Sequence, residues 1–234
     1  MIPWLRSGEF PPVDSALDDP NGLLAAGGDL SAGTLLCAYR QGIFPWYNSG
    51  QPLLWWSPDP RMVLFVAEFR VPRSLRKLVA QRHFDIRVDS AFREVIEACA
   101  EPRADDGGTW ITPAMVDAYT ELHRLGHAHS VEAWQGGVLA GGLYGVSIGH
   151  MFYGESMFAR QPNASKVALV DLIDLLSRRD MPMVDCQQET AHLARFGARP
   201  IPRREFAGRL ARLVNSPLPA GPWNDGPSSE ADRT

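Results

Sequence analysis

Residues 129–158 read HSVEAWQGGVLAGGLYGVSIGHMFYGESMF, which contains three runs rich in apolar, β-branched and aromatic residues. Two short pairs that contain glycine separate the runs, a pattern typical of tight turns between neighbouring strands. The further glycines inside the middle run lack the G-x-G-x-x-G spacing between a strand and a helix that binds dinucleotides, and favour close packing between strands. We therefore predict three consecutive strands at 129–135, 138–148 and 151–158.

Helix and strand patterns alternate on both sides of this segment. Thr112 as N-cap, Pro113 at the first helical position and Gly126 beyond the last turn bracket one predicted helix. Further helices are predicted at RSLRKLVAQ, AFREVIEACA, ASKVALVDLIDLLSRR and near 203–214, and further strands at RMVLFV, FDIRV and MPMVDCQ. Mixed strands and helices predict an α/β (α+β) fold.

The sequence before residue 60 is turn-rich and offers one helical segment, Ala32 to Gln41, with Ser31 as its cap. Its aromatic stretch FPWYNSGQPLLWWSPD, residues 44–59, contains three prolines, which we expect to interrupt any strand ladder. The C-terminal end is rich in Pro, Gly, Ser and acids. We predict a small loop-rich domain at 1–60, a mixed-sheet domain at 61–215 and a flexible tail at 216–234.

Composition excludes several classes of protein. The 234 residues are 45% hydrophobic and carry a net charge of −4, which argues against a uniformly basic nucleic-acid binder but allows a local basic face. Three cysteines without a CxxC pair indicate neither a disulfide framework nor a cysteine zinc site. The start, MIPWLRSGEF, lacks a basic region followed by an apolar run, and we expect a cytoplasmic protein without a membrane segment.

Two patterns suggest chemistry that their context does not support. GVSIG at 145–149 has the form G-x-S-x-G, and Asp185 and His192 follow in the order of a hydrolase triad, but the next residues read as a strand, whereas a nucleophile elbow needs a helix. We expect a hairpin there. HRLGHAHS, residues 123–130, contains three histidines without a local carboxylate or cysteine, so histidines near a helix C-terminus explain it better than a metal site.

Asp185 and Gln187 in VDCQQ share one face of a predicted strand, because side chains alternate along a strand. An aspartate that accepts from the Gln187 amide would fix that amide and polarise its carbonyl, although the spacing alone favours a buried structural hydrogen bond. Glu155 is an acid inside an apolar strand. A buried carboxylate needs a cationic partner, which is either an arginine of the protein or a positive group of a substrate.

Basic residues are concentrated in two segments, and each is either a solvated face or a surface that follows phosphates. The first segment contains Arg70, Arg73, Arg76, Lys77, Arg82 and Arg87, and the second contains Arg195, Arg199, Arg203, Arg204, Arg209 and Arg212.

Several long blocks, in order from about residue 10 to 210, resemble the bacterial leucyl/phenylalanyl-tRNA–protein transferase family. They are FPPVDSALDDPNGLLAAGGDLSAGTLLCAYRQGIFPW, LLWWSPDPR, GTWIT, LHRLGHAHSVE, YGESMF, NASK, DCQ and IPRREF. The resemblance implies an enzyme that moves leucine or phenylalanine from its tRNA to the N-terminal amine of proteins that begin with arginine or lysine, which creates an N-end-rule degradation signal. It also implies an N-acetyltransferase-like (GNAT-type) second domain.

The resemblance further implies which residues act. Trp46 and Trp110 match positions that contact the aminoacyl-adenosine end, and the aminoacyl side-chain pocket is lined by Leu143, Phe152, Met157, Leu172 and Val184. Asp185, Gln187 and Glu155 are the expected catalytic residues, and Arg73, Arg76, Lys77 and Arg82 are the expected tRNA contacts. We expect no metal and no cofactor, and no DNA or membrane partner. Acyl-CoA is a poor donor candidate, because RQPNAS lacks the glycines of a pyrophosphate turn.

Overall fold

The computed structural model describes residues 2–6, 9–102, 109–218, 221 and 223. Within these residues the N-terminal part forms a four-stranded sheet in the order β1-β2-β4-β3. Its strands are β1 Trp4–Leu5, β2 Leu23–Gly27, β3 Phe44–Pro45 and β4 Leu54–Trp56. The expectation that prolines interrupt every ladder here was wrong, since Pro45 pairs with Trp55. Pro45 is tolerated because β3 is the edge strand, where a missing N–H need not break a bond.

The remaining strands in the described ranges form a seven-stranded mixed sheet in the order β11-β5-β10-β9-β8-β7-β6. They are β5 Arg61–Phe65, β6 Asp85–Val88, β7 Ala128–Gln135, β8 Val138–Ile148, β9 Met151–Ala159, β10 Met183–Gln187 and β11 Arg199–Ile201. The predicted hairpins β7–β8 and β8–β9 are both antiparallel. Strand β10 runs parallel to β9, as a helical crossover requires. The α/β class with a mixed sheet is therefore confirmed.

The helices begin and end close to the predicted residues because their caps are local signals. Ser31 and Thr112 accept hydrogen bonds from the backbone N–H groups of Thr34 and Met115, as N-caps do. The helices are α1 Ala32–Arg40, α2 Arg73–Ala80, α3 Phe92–Ala100, α4 Pro113–Arg124, α5 Ala164–Arg178, α6 Ala191–Ala194 and α7 Arg203–Leu213. Helix α5 is the crossover between β9 and β10.

Apolar side chains fill both faces of the larger sheet. One cluster joins α1, α3 and α4 to the N-terminal sheet and includes Leu35, Tyr39 and Tyr119. The other lies under α2 and α5 and includes Phe152 and Leu172. Because the first cluster spans residue 60, the division into domains at 1–60 and 61–215 stays a proposal. Most of the expected flexible tail lies outside the described residues.

Candidate active site

The parallel strands β9 and β10 position the candidate site. Their pairing runs from Met183 opposite Met151 to Asp185 opposite Tyr153, and both strands continue beyond it. Glu155 and Gln187 lie in these continuations, where the Nε2 of Gln187 donates to the Oε1 of Glu155 at 2.9 Å. The C-terminal ends of parallel strands are a common place for a ligand crevice in open α/β sheets.

A pocket of about 750 Å³ opens at these strand ends, and we call it the strand-end pocket. Aliphatic and aromatic side chains from β8, β9, β10 and α5 form its wall, and one side ends at the buried Glu155 and at Gln187. An apolar cavity with a few convergent polar groups is the usual form of a small-molecule site. Nine of the ten expected catalytic, aminoacyl-adenosine and side-chain-pocket residues line it, all except Asp185: Trp46, Trp110, Leu143, Phe152, Glu155, Met157, Leu172, Val184 and Gln187.

Glu155 is held by three neutral donors. The Tyr39 hydroxyl donates to its Oε1 at 2.7 Å, the Tyr119 hydroxyl donates to its Oε2 at 3.2 Å, and Gln187 supplies the third bond. The two tyrosine oxygens also lie 2.5 Å apart. In the described part of the chain no arginine or lysine forms a salt bridge with Glu155, so of its two expected partners the arginine of the protein is not found there.

Burial raises the pKa of Glu155 to about 7. The hydrogen bonds from Tyr39, Tyr119 and Gln187 oppose this shift, while the nearby charge of Asp185 adds to it. Burial and the proximity of Glu155 also raise the pKa values of both tyrosines well above their ordinary value, so the tyrosines remain neutral donors. Glu155 can therefore exchange a proton near neutral pH, which suits a carboxylate that handles an amine.

Asp185 lies behind the strand-end pocket and forms a buried ion pair. The Arg61 Nε and Nη2 donate to its two oxygens at 2.8 and 2.7 Å, and the guanidinium lies between the rings of Phe44 and Phe206. The Oδ1 of Asp185 also accepts the backbone N–H of Gln187 at 2.9 Å. The expectation that Asp185 accepts from the Gln187 side-chain amide was wrong, because Glu155 takes that amide.

The predicted alternation of side chains between the two faces of β10 is also wrong at Gln187. Val184 and Cys186 line the strand-end pocket, as one face of β10 should, but Gln187 lines it as well and Asp185 does not. The reason is the backbone of Gln187, which has a φ of 62° and lies at an irregularity in the pairing with β5. A left-handed residue breaks the period of two and turns its side chain to the other face.

The two tryptophans of interest lie at the pocket mouth. Trp46 is 37% exposed and meets Trp56 edge to face, with 5.5 Å between ring centroids. The Trp56 Nε1 donates to the backbone carbonyl of Trp46 at 2.7 Å, which fixes the backbone of that residue. Trp110 lines the same pocket from the segment before α4. Aromatic faces are thus presented where a planar group could stack.

The two competing patterns have structural explanations. Ser147 lies inside β8 and pairs with Phe152 across a hairpin, so the hydrolase geometry is absent at this serine. His129 Nδ1 contacts the Oδ2 of Asp89 at 2.8 Å, and His123 stacks on Phe92. No cluster of three or more histidine, cysteine or acidic residues suited to a metal occurs in the described residues.

The predicted tRNA contacts lie on and just after α2. Arg73, Arg76, Lys77 and Arg82 are all exposed. The second basic segment is partly neutralised, since Arg199 pairs with Glu68. None of the described helices is long and apolar enough to cross a membrane.

Sequence reasoning missed three buried residues of the site, namely Tyr39, Tyr119 and Arg61. Each occupies an ordinary core or strand position, and its partner lies far away in the chain, so no local pattern marks it.

Comparisons with known proteins agree with the resemblance in the sequence. Residues 28–59 match the family described as leucyl/phenylalanyl-tRNA protein transferase N-terminal domain, and residues 63–211 match leucyl/phenylalanyl-tRNA protein transferase. The curated leucyl/phenylalanyl-tRNA–protein transferase of Thiobacillus denitrificans is 60% identical over 221 residues, covering 94% of this chain and 97% of that protein. The one of Aromatoleum aromaticum is 54% identical over 234 residues, covering 100% and 99%.

Among solved structures, the GCN5-related N-acetyltransferase from Kribbella flavida aligns with 72% of this chain and 60% of its own. The TM-score is 0.37 and the identity 10%. This similarity is too low to carry an argument, so the N-acetyltransferase-like (GNAT-type) description of the second domain stays a prediction.

Proposed function

The chain belongs to the leucyl/phenylalanyl-tRNA–protein transferase family and is an aminoacyltransferase, and from this premise we propose that it transfers leucine or phenylalanine from aminoacyl-tRNA to the N-terminal α-amine of proteins that begin with arginine or lysine. The product would carry an N-end-rule degradation signal. We also propose a cytoplasmic location, since aminoacyl-tRNA is used in translation there.

The strand-end pocket carries this proposal because it joins two environments. Its apolar wall, with Leu143, Phe152 and Leu172, suits the side chain of leucine or phenylalanine. Its polar end, with Glu155 and Gln187, suits an amine. An aminoacyl group whose side chain contacts the wall would present its ester carbonyl to an amine at the polar end.

The reaction needs positioning more than activation. The α-amine nitrogen attacks the ester carbonyl, the bond from that carbon to the ribose oxygen of the terminal adenosine breaks, and an amide bond forms. The amine loses a proton and the ribose oxygen gains one, so atoms and charge balance. Because the ester is already an activated acyl group, holding both reactants in reach supplies the main catalytic effect.

Glu155 and Gln187 have distinct roles in this proposal. An incoming α-ammonium supplies the cation that Glu155 lacks, and a carboxylate with a pKa of about 7 can then accept a proton from it. The Gln187 amide faces Glu155 through its nitrogen, which leaves its carbonyl oxygen to accept an N–H of the same amine. Asp185 holds the backbone of Gln187 and is a positioning residue.

Trp46 and Trp110 are proposed to hold the terminal adenosine. Both line the strand-end pocket, and stacking of a base on an aromatic ring contributes roughly 1–3 kcal/mol. The body of the tRNA would contact the exposed cations on α2, Arg73, Arg76 and Lys77, and also Arg82 after it.

Selection of the amino acid would depend on shape. One methylene in an apolar pocket changes the free energy of transition-state binding by about 1–3 kcal/mol, so leucine is preferred to smaller residues only modestly. The resemblance leaves the order of leucine and phenylalanine open, because Leu143 and Leu172 stand where some family members have methionine and phenylalanine.

The test is a transfer assay with tRNA charged with labelled leucine and two peptides that differ in one group. One begins with a free arginine and the other with acetyl-arginine, which cannot be acylated at its α-nitrogen. Label on the free peptide alone is the expected result. Bound, intact aminoacyl-tRNA without label on either peptide would indicate a binding protein and refute the proposal. A serine hydrolase would react with a serine-directed probe and lose its activity in Ser147→Ala. The proposed transferase should not react with the probe and should keep its transfer activity in Ser147→Ala.

A further inference from the structure

A tryptophan close to the C-terminus packs into the core next to the strand-end pocket. The Trp223 side chain is only 5% exposed, and its ring stacks on His129 with 4.0 Å between centroids and 8° between planes. The Arg179 guanidinium lies 5.0 Å from the centre of the same ring. The backbone N–H of Trp223 donates to the Oδ2 of Asp89 at 2.8 Å. Trp223 is therefore held in place by stacking, a cation–π contact and a buried hydrogen bond.

Trp223 also touches a wall residue of the strand-end pocket. Its ring and that of Phe152 are 5.6 Å apart at a tilt of 36°, and the two belong to one apolar cluster. Phe152 lines the strand-end pocket, whereas Trp223 does not, so Trp223 lies behind the wall. A substitution of Trp223 therefore changes the pocket by moving residues that contact Trp223 and also line the pocket. Phe152 is the aromatic residue of this kind.

The tip of the Phe152 ring is also constrained. A Cβ atom on Gly145 would lie 2.5 and 2.6 Å from the Cζ and Cε1 of Phe152, so the ring occupies the space that a side chain at 145 would need. Gly145 in β8 lies opposite His129 in β7, the residue on which Trp223 stacks. Phe152 is thus confined by the backbone of Gly145 at the tip of its ring and by the neighbouring ring of Trp223.

We propose that Trp223 is a positioning residue that sets the depth of the strand-end pocket by holding Phe152 in place. The proposal rests on the proposed function in taking this pocket as the aminoacyl site. If Trp223 is shortened, the space behind Phe152 becomes a void into which its ring can move, because a buried cavity is partly filled by relaxation of its neighbours. The pocket then deepens and accepts larger aminoacyl groups more readily.

The experiment compares the kcat/KM for phenylalanyl-tRNA with that for leucyl-tRNA in a double-mutant cycle. Trp223→Ala should raise the phenylalanine-to-leucine ratio roughly three- to tenfold, less than the roughly 10- to 200-fold that a methylene can contribute. In a Phe152→Leu background the same substitution should leave the ratio unchanged, because the ring that Trp223 holds is gone. Trp4→Ala, which removes an exposed tryptophan of the N-terminal sheet, is the matched control.

Some outcomes would overturn the proposal. If Trp223→Ala lowers the melting temperature and leaves the ratio as in the wild type, Trp223 is structural only. An equal change of the ratio in both backgrounds would show that Trp223 does not act through Phe152. Should Trp223→Ala fail to fold, Trp223→Phe carries the same comparison with a smaller expected shift, and an unchanged ratio there also refutes the proposal.

A second measurement does not depend on transfer at all. In protein labelled with 4-fluorophenylalanine, the Phe152 signal in the ¹⁹F spectrum is the one that disappears in Phe152→Leu. Trp223→Phe should shift this signal, because the adjacent aromatic ring changes. Wild-type protein that transfers neither amino acid would refute the proposed function, while this signal still decides whether Trp223 holds Phe152. A signal that does not move in Trp223→Phe would overturn the packing argument.

Discussion

Removal of the Tyr39 hydroxyl should move the pH dependence of transfer. Tyr39→Phe deletes the 2.7 Å hydrogen bond to Glu155 and keeps the ring in the core. A hydrogen bond to a charged group contributes about 1.5–3 kcal/mol. Since 1.36 kcal/mol corresponds to one pKa unit, loss of the bond should raise the pKa of Glu155 by roughly one to two units. From a value of about 7, the pKa of Glu155 would move above neutrality.

The direction of the effect follows from the charge that the substrate requires. Only ionised Glu155 attracts an ammonium group, so kcat/KM should rise with pH through the pKa of Glu155. In Tyr39→Phe the rise occurs at higher pH, and at pH 7 kcat/KM should be roughly 5- to 50-fold below wild type, with recovery near pH 9. Tyr119→Phe removes a longer bond of 3.2 Å and should shift the profile less.

The assay is initial-rate transfer of leucine to an arginine peptide from pH 5.5 to about 9.5. The peptide α-amine itself titrates at about pH 8, but it does so equally for every variant. A difference between the pH profiles of two variants therefore reflects a titrating group of the enzyme. Tyr153→Phe is the control, because that buried hydroxyl donates to the backbone carbonyl of Tyr39 and not to Glu155. Loss of activity by the same factor at every pH in Tyr39→Phe would refute the reasoning.

Stability gives an independent measure of the same carboxylate. The folded protein holds the Glu155 proton up to a pKa of about 7, whereas an unfolded glutamate releases it near its ordinary value of 4.5. Folding is therefore favoured at low pH, and this contribution is lost as the pH rises from the unfolded pKa through the folded one. Relative to Glu155→Gln, wild type should lose about 3 kcal/mol of unfolding free energy across that range. If the difference in unfolding free energy between wild type and Glu155→Gln is the same at pH 4.5 and at pH 8, the raised pKa of Glu155 is contradicted.

Three further variants separate the proposed roles. Asp185→Asn should lower the free energy of unfolding by about 3–5 kcal/mol, measured by thermal unfolding, because Arg61 would stay buried without its counter-charge. Charge reversal of Arg76 and Lys77 should weaken tRNA binding, measured as Kd at several salt concentrations. The slope of log Kd against the logarithm of the salt concentration should fall by roughly one for each phosphate that is no longer neutralised. Trp46→Ala should raise the KM for aminoacyl-tRNA by roughly 5- to 150-fold through the loss of about 1–3 kcal/mol of stacking, with little change in kcat.

Each of these expectations has a matched control or a contradicting result. Unchanged thermal stability of Asp185→Asn together with lost transfer would indicate a catalytic rather than a positioning residue. Arg178→Glu reverses an exposed charge on α5, and an equal loss of tRNA affinity there would mean that α2 does not bind tRNA specifically. Trp4→Ala is the control for Trp46, and an equal rise in KM would exclude a specific stack.

The sequence predicted the strands of the larger sheet except β11 and the α-helices around it except α6, because the signals of the predicted elements are local. The cap at Thr112 and the apolar runs separated by glycine turns in β7 to β9 need no distant partner. The short strands of the N-terminal sheet were missed, since Leu23–Gly27 is rich in alanine and glycine. The side-chain direction of Gln187 was also missed, because nothing in the sequence marks a non-glycine residue with a φ of 62°. The contact of Tyr39 with Glu155 spans 116 positions and has no local signal.

The two buried carboxylates of the site have opposite electrostatic surroundings, and this assigns their roles. Asp185 is neutralised within the protein by the bidentate Arg61, so its charge is committed to holding the end of β10. Glu155 receives only neutral donors in the described residues, and burial keeps its pKa near 7, so its charge is incompletely compensated. A substrate ammonium completes that compensation, whereas an acetylated N-terminus cannot. We therefore expect discrimination against blocked N-termini to depend on the charge of Glu155 and to weaken in Glu155→Gln, which has no charge to pair with an ammonium group.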